Sequence, residues 1–191
     1  MLTKLRARLA KYLECIAGLL AKIGFSPTHV TLLSLLFSFL AFIALYWYRM
    51  IALYAFSVLV SGALDALDGV LARITGKETK LGAFLDSTLD RVSDSLIIFP
   101  LVVLGYGYEL VVMLLVVSLL TSYVRARSES LGLKLEGVGL IERAERVLAL
   151  VIVVVMYTVN RYVSLAMLYI LLALSTATLI HRAIYVVLRL S

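Results

Sequence analysis

The stretch DALDGVLARITGKETKLGAFLDSTLD, residues 65–90, sets four aspartates, Asp65, Asp68, Asp86 and Asp90, into two apolar runs joined by a short polar turn. One ionisable side chain at bilayer depth costs about 2.5–3.5 kcal/mol on insertion scales, so four cost on the order of 10 kcal/mol. Carboxylates that expensive need a compensating partner.

The rest of the chain supplies the membrane setting. Its 191 residues are 63% hydrophobic and 16% charged, with a mean hydropathy of +1.05. That composition lies outside the globular range and predicts an all-α integral membrane protein. No linker, low-complexity tract or internal repeat divides it, so residues 1–191 read as a single domain. Runs of about 20 apolar residues bounded by charge predict six transmembrane helices within residues 29–187. They read as 29–48, 51–75, 81–104, 108–128, 145–160 and 162–187. Of the 18 Lys and Arg residues, fifteen fall on the side of the termini and the two polar loops, two on the other side, and Arg91 inside a span. The positive-inside rule therefore predicts a multi-pass cell-membrane protein with both termini and the aspartate-bearing end in the cytoplasm. Residues 2–23 predict a juxtamembrane amphipathic helix lying on the interface. Leu2, Leu5, Leu9, Leu13, Ile16 and Leu20 form one stripe, and Lys4, Arg8, Lys11 and Lys22 lie opposite it.

The net charge of +6 is distributed as a topology signal, and no module of interleaved basic and aromatic residues accompanies it, which argues against a nucleic-acid partner. Membrane lipids and phosphate-bearing substrates fit it better. Cys15 stands alone and supports no disulfide.

The second and third predicted spans run in opposite directions. At 1.5 Å per residue, Asp65 and Asp68 lie about 10–15 Å before the inner end of one, and Asp86 and Asp90 about 8–14 Å after the start of the other. Spacings of i, i+3 and i, i+4 put each pair on one helical face. Four carboxylates at one depth repel unless positive charge is present. Hard divalent cations provide it: Mg²⁺, or Mn²⁺, takes carboxylate and phosphate oxygens, and a pair of ions polarises a phosphoryl group in line with its attacking and leaving oxygens.

Written as Asp65-x2-Asp68-Gly69-x2-Ala72-Arg73-x8-Gly82-x3-Asp86-x3-Asp90, the stretch resembles the signature of the CDP-alcohol phosphotransferases at every fixed position. The resemblance implies an enzyme that transfers a substituted phosphate from a CDP-linked donor to an alcohol and releases CMP. It also implies a six-helix core, a homodimer and two metal ions. Asp65, Asp68 and Asp86 would hold the metals, with Asp90 as general base and a further metal-side carboxylate. Asp65, Gly69, Ala72, Arg73 and Gly82 would surround the CDP group. The small residues leave room for a nucleotide, and the Arg73 fork suits a diphosphate. The segment Pro27-Thr28-His29-Val30-Thr31 resembles the Pro-Asn-x-x-Thr of many members. Thr31 becomes a further CDP-side candidate, although Thr28 replaces the Asn.

For the acceptor, Ser122-Tyr123-Val124-Arg125-Ala126-Arg127-Ser128-Glu129 and Glu142-Arg143-Ala144-Glu145-Arg146 resemble the branch that makes phosphatidylinositol phosphate or archaetidylinositol phosphate. That resemblance implies inositol 1-phosphate as acceptor and a CDP-lipid, CDP-archaeol or CDP-diacylglycerol, as donor. Arg125, Arg127, Arg146 and Arg182 become candidate ligands of the acceptor phosphate, with Glu142 and Glu145 orienting Arg143 and Arg146 through local ion pairs. The same chemistry with glycerol 3-phosphate or serine as acceptor, or with CDP-inositol as donor, is an alternative. Intramembrane carboxylates also mark ion-coupled transporters, but inverted repeats and Gly/Pro-broken helices are missing here. Arg91, Asp94 and His181 receive no chemical role.

Overall fold

The computed structural model describes residues 2–135 and 137–190, with side chains from residue 12 onward, and these residues form seven α-helices and one 3-10 segment. The helices are α1 (Leu2–Lys22), α2 (Pro27–Tyr46), α3 (Ile51–Thr75), α4 (Lys80–Ile98), α5 (Tyr108–Ser130), α6 (Arg143–Tyr157) and α7 (Arg161–Leu190). Four of them, α2, α3, α5 and α7, are long and apolar enough to cross a membrane. The other two predicted spans fall short for visible reasons. α4 carries Asp86, Asp90, Arg91 and Asp94 within 19 residues. α6 has 15 residues, a length of roughly 22 Å at the α-helical rise.

The third predicted span, 81–104, changes character inside its range. The α-helix stops at Ile98 and continues as a 3-10 segment, Phe99–Leu104. Pro100 is the cause: it has no N–H and its ring crowds the preceding turn. A 3-10 helix bonds three residues back, so Pro100 leaves the Ile97 carbonyl without that donor. Tyr54 of α3 replaces it, donating from its buried hydroxyl to Ile97 O at 3.0 Å.

The turn between α3 and α4 sets the aspartates' relative height. Gly76 ends α3 in the left-handed conformation, φ +62°, which glycine adopts without steric penalty. Three residues later Thr79 caps α4, its hydroxyl accepting from Gly82 N at 3.0 Å. A Cβ on Gly82 would lie 3.0 Å from that hydroxyl, so the glycine also gives the cap its space.

The main core joins α2, α3, α5, α6 and α7 through Leu45, Tyr54, Val58, Leu114, Leu150, Val154 and Leu168, together with Leu101 of the 3-10 segment. Ser34, Ser38 and Ser61 form a buried hydroxyl cluster between α2 and α3, with a 2.8 Å contact between Ser38 and Ser61. α1 lies against α3, where Ala17 is fully buried beside Leu67 and Leu71, with Leu13 and Leu20 packed at the edge. Ile16, on the same predicted stripe, does not pack against α3 and is 45% exposed. The side chains of Leu2, Lys4, Leu5, Arg8, Leu9 and Lys11 lie outside the described residues.

Tyr54→Phe removes the only donor named above for the Ile97 carbonyl and should destabilise the fold by about 1–2 kcal/mol. Thermal unfolding of the detergent-solubilised chain would register this as a lowered Tm with the helical content of the native state unchanged.

Candidate active site

Asp65 from α3 and Asp86 and Asp90 from α4 converge. Each offers a carboxylate oxygen, and these oxygens lie within 4.8 Å of one another. An all-carboxylate donor set of this spacing fits a hard divalent cation. The fourth aspartate is placed differently. Asp68 is buried, and its Oδ2 accepts from the Thr31 hydroxyl at 2.6 Å. Thr31 is thus tied to the aspartate motif through a side chain, and the start of α2 is fixed to α3.

Two cavities flank Asp86. The larger, about 790 Å³, is lined by Thr31, Asp68, Gly69, Ala72, Arg73 and Gly82, among others. Every residue expected on the CDP side is there except Asp65, which faces the other cavity. Gly69 meets nothing within 4 Å of where a Cβ would stand, so its backbone is open to a ligand. Arg73 donates from Nε to Gly69 O at 3.1 Å, which lays the guanidinium along this wall. The second cavity, about 430 Å³, is lined by Asp65, Asp86 and Asp90 and by Arg91, Arg125, Arg143, Arg146 and Arg182. Among the described residues, Ala83 and Asp86 alone line both.

Three of the four arginines expected at the acceptor phosphate, Arg125, Arg146 and Arg182, therefore share one cavity. Arg127 does not. It is exposed, lines neither of these cavities, and donates to Ser130 Oγ at 3.4 Å. Two positions along α5 from Arg125 is about 200° around the helix, which turns Arg127 to the far side. Arg125 itself pairs with Glu129 at 3.0 Å.

Arg143 is the residue that sequence reasoning left without a role at the site. Its Nη1 lies 2.8 Å from Asp65 Oδ2 and 3.0 Å from Asp90 Oδ1, and its Nε 3.0 Å from Asp94 Oδ1. Asp94 accepts a second time, from Arg146 Nη2 at 2.9 Å, and both partners are buried. The expected local pairing with Glu142 and Glu145 is not what forms. Those two glutamates cap α6, the Glu142 N–H donating to Glu145 Oε2 at 3.0 Å. The i, i+3 spacing of Arg143 and Arg146 announces a shared helical face, but nothing local in the chain pairs it with Asp94, 49 residues earlier. Arg91 is also drawn in: it donates to Ser87 and, at 3.4 Å, to the Ser122 carbonyl of α5.

The loop between α5 and α6 closes this cavity against α7. Thr178 Oγ1 accepts from the N–H groups of Leu140 and Ile141, both at 3.1 Å. Arg182 donates to Val138 O at 2.7 Å and to Thr121 O at 3.3 Å. Gly139 permits the close approach: its φ is +129°, and a Cβ there would stand 2.6 Å from Thr178 Cγ2.

Comparison with known proteins gives this geometry a context. Residues 25–186 match the family model described as CDP-alcohol phosphatidyltransferase. The chain is 40% identical over 154 residues to the archaetidylinositol phosphate synthase of Pyrococcus horikoshii, covering 80% of this chain and 81% of that protein. It is 37% identical over 180 residues to the enzyme of the same name from Aeropyrum pernix, covering 93% and 91%. The crystal structure of Mycobacterium tuberculosis phosphatidylinositol phosphate synthase with CDP-DAG bound superposes with a TM-score of 0.80 at 28% identity, over 92% of this chain and 94% of that one. The same enzyme in complex with manganese and citrate gives 0.78 at 29% identity, over 91% and 88%.

Gly139→Ala should unseat the loop from α7, because the new methyl both clashes with Thr178 and strains the backbone by about 1–3 kcal/mol. Limited proteolysis checks this, with faster tryptic cleavage after the exposed Lys134 as the expected result.

Proposed function

The chain belongs to the CDP-alcohol phosphatidyltransferase family, a family of metal-dependent membrane transferases of phospholipid biosynthesis, and we propose that it joins a CDP-lipid to inositol 1-phosphate and releases CMP. Membership makes it an enzyme and sets aside the ion-coupled transporter as an alternative. The observation that carries the finer reading is the pair of cavities meeting at Asp86. One has the small residues and single arginine that suit a nucleotide diphosphate, and the other a cluster of guanidinium groups that suits a phosphorylated alcohol. The names of the relatives, archaetidylinositol phosphate synthase and phosphatidylinositol phosphate synthase, support the same acceptor.

Asp65, Asp86 and Asp90 would hold Mg²⁺ or Mn²⁺, with Asp68 joining from the donor side to make a two-ion site. Bound there, the ions would neutralise the diphosphate and favour departure of CMP. The protein's own part begins with Arg125, Arg146 and Arg182, which hold the acceptor phosphate and aim its sugar hydroxyl at the carboxylates. Asp90 takes the hydroxyl proton. The freed oxygen bonds to the lipid-linked phosphorus, the bond from that phosphorus to the bridging oxygen breaks, and CMP leaves with the electron pair. A third cavity, about 270 Å³, lies between α3 and α6, is lined by Val58, Leu59, Gly62 and Leu148, and ends at Asp65 and Arg143. It adjoins the arginine-lined cavity, and the lipid donor is favoured over CDP-inositol by the CDP-DAG bound in the similar mycobacterial structure. CDP-archaeol and CDP-diacylglycerol present the same headgroup to the residues described.

α4 and α6 then cross alongside the four longer helices, six crossings in all, with α1 on the interface, the site facing the cytoplasm and the chain a homodimer, as charge distribution and family resemblance imply.

Release of CMP by the purified chain, with Mg²⁺ and a CDP-lipid, tests the proposal: release is expected with inositol 1-phosphate and not with glycerol 3-phosphate or serine, and EDTA should abolish it. Turnover with another acceptor alone would discard the acceptor assignment. Asp90→Asn should lower kcat by about 10²-fold or more, the scale of a lost general base, while Asp90-independent nucleotide binding persists. Arg125→Ala should raise KM for inositol 1-phosphate about tenfold or more, as expected for a lost charge-assisted contact. Arg127→Ala, two residues away, should change it less than about twofold.

A further inference from the structure

Asp94 is a buried carboxylate, 2% exposed, that lines none of the three cavities described. Its two oxygens go to two arginines: Oδ1 accepts from Arg143 Nε at 3.0 Å and Oδ2 from Arg146 Nη2 at 2.9 Å. The other end of Arg143 reaches Asp65 and Asp90 with one nitrogen. Those carboxylates belong to the trio whose oxygens lie within 4.8 Å of one another.

A divalent ion and this guanidinium therefore compete for the same oxygens, and each repels the other across a short distance of low dielectric. Where Arg143 sits decides how strongly Asp65 and Asp90 can hold a metal. Only Asp94 contacts Arg143 through a carboxylate outside the metal trio among the described residues. We propose that Asp94 is a positioning residue for the metal centre, acting through Arg143. It retains the guanidinium by Nε, so that Nη1 can yield Asp65 and Asp90 to a divalent ion while Arg143 stays at the site. The inference rests on the reading of that trio as the metal centre.

Mn²⁺ titration of the purified chain in detergent, followed by the electron paramagnetic resonance signal of free Mn²⁺ and without any substrate, tests this directly. Arg143→Gln removes the competing charge and should bind Mn²⁺ about tenfold more tightly, within the usual range for coupled sites. Asp94→Asn should bind it more weakly by a similar factor, because a guanidinium released from Asp94 is left entirely to Asp65 and Asp90. In the double variant the Asp94 effect should vanish, giving the affinity of Arg143→Gln alone. A merely structural Asp94 would lower Tm without opposite signs in the single variants or non-additivity in the pair.

Unchanged or weakened Mn²⁺ binding in Arg143→Gln would overturn the proposal, as would an Asp94→Asn effect of equal size in both backgrounds. If Asp94→Asn does not fold, Asp94→Glu takes its place: it keeps the charge but moves the carboxylate, and it should weaken Mn²⁺ binding in the parent while leaving the Arg143→Gln affinity unchanged, whereas unchanged binding in the parent would overturn the proposal. Failure of the parent chain to bind Mn²⁺, with Asp65→Asn as the matching control, would instead remove the metal reading beneath it.

Discussion

A carboxylate among apolar helices is tolerated only where cations or hydrogen-bond donors surround it, and in this chain much of that burden falls on Arg143 and its neighbour Arg146. From the first turn of α6, Arg143 reaches Asp65 on α3 and Asp90 and Asp94 on α4. Removing one partner of the buried Arg146–Asp94 pair costs about 3–5 kcal/mol, because the other charge is left in place without compensation. The network therefore restricts how α3, α4 and α6 can stack: a slide of one helix by a turn would leave an unpaired charge. Apolar packing around Tyr54, Val58, Leu150 and Val154 gives cohesion but is far less particular about register.

Register matters because the site has two rooms and a common wall. Asp86 and Ala83 line both cavities, so the two adjoin at a carboxylate. The turn from Gly76 to Thr79 is short and caps both helices. On one side, Thr31 anchors α2 to Asp68 and completes the nucleotide-sized cavity. On the other, Thr178 and Arg182 of α7 hold the loop that carries Gly139. Elements distant in sequence thus contribute backbone and charge to the two adjoining cavities.

Much of this was legible before any coordinates. The helical class, the hairpin between the aspartate pairs and the aspartate positions follow from hydrophobic run length and i, i+3 or i, i+4 spacing, which depend on local helix geometry alone. The span boundaries at 51–75 and 108–128 also came close to Ile51–Thr75 and Tyr108–Ser130. The change to 3-10 geometry at Phe99–Leu104 was overlooked although Pro100 announces it, because an apolar run looks continuous through a proline. Arg127 was grouped with Arg125 by motif, while helical rotation separates them.

Local periodicity and composition were sufficient to make this chain a helical membrane protein and to set the aspartates in two pairs, each on one helix face, since both depend on neighbours within a turn or two. Which carboxylates meet, and what neutralises them, depended on packing between helices dozens of residues apart. Asp68 turned to Thr31, Asp94 became the shared partner of two arginines, and Arg143 moved from a loop charge to the centre of the site. Electrostatic free energy in a low-dielectric interior is a property of the whole arrangement of charges, and that arrangement exists only once the helices have packed.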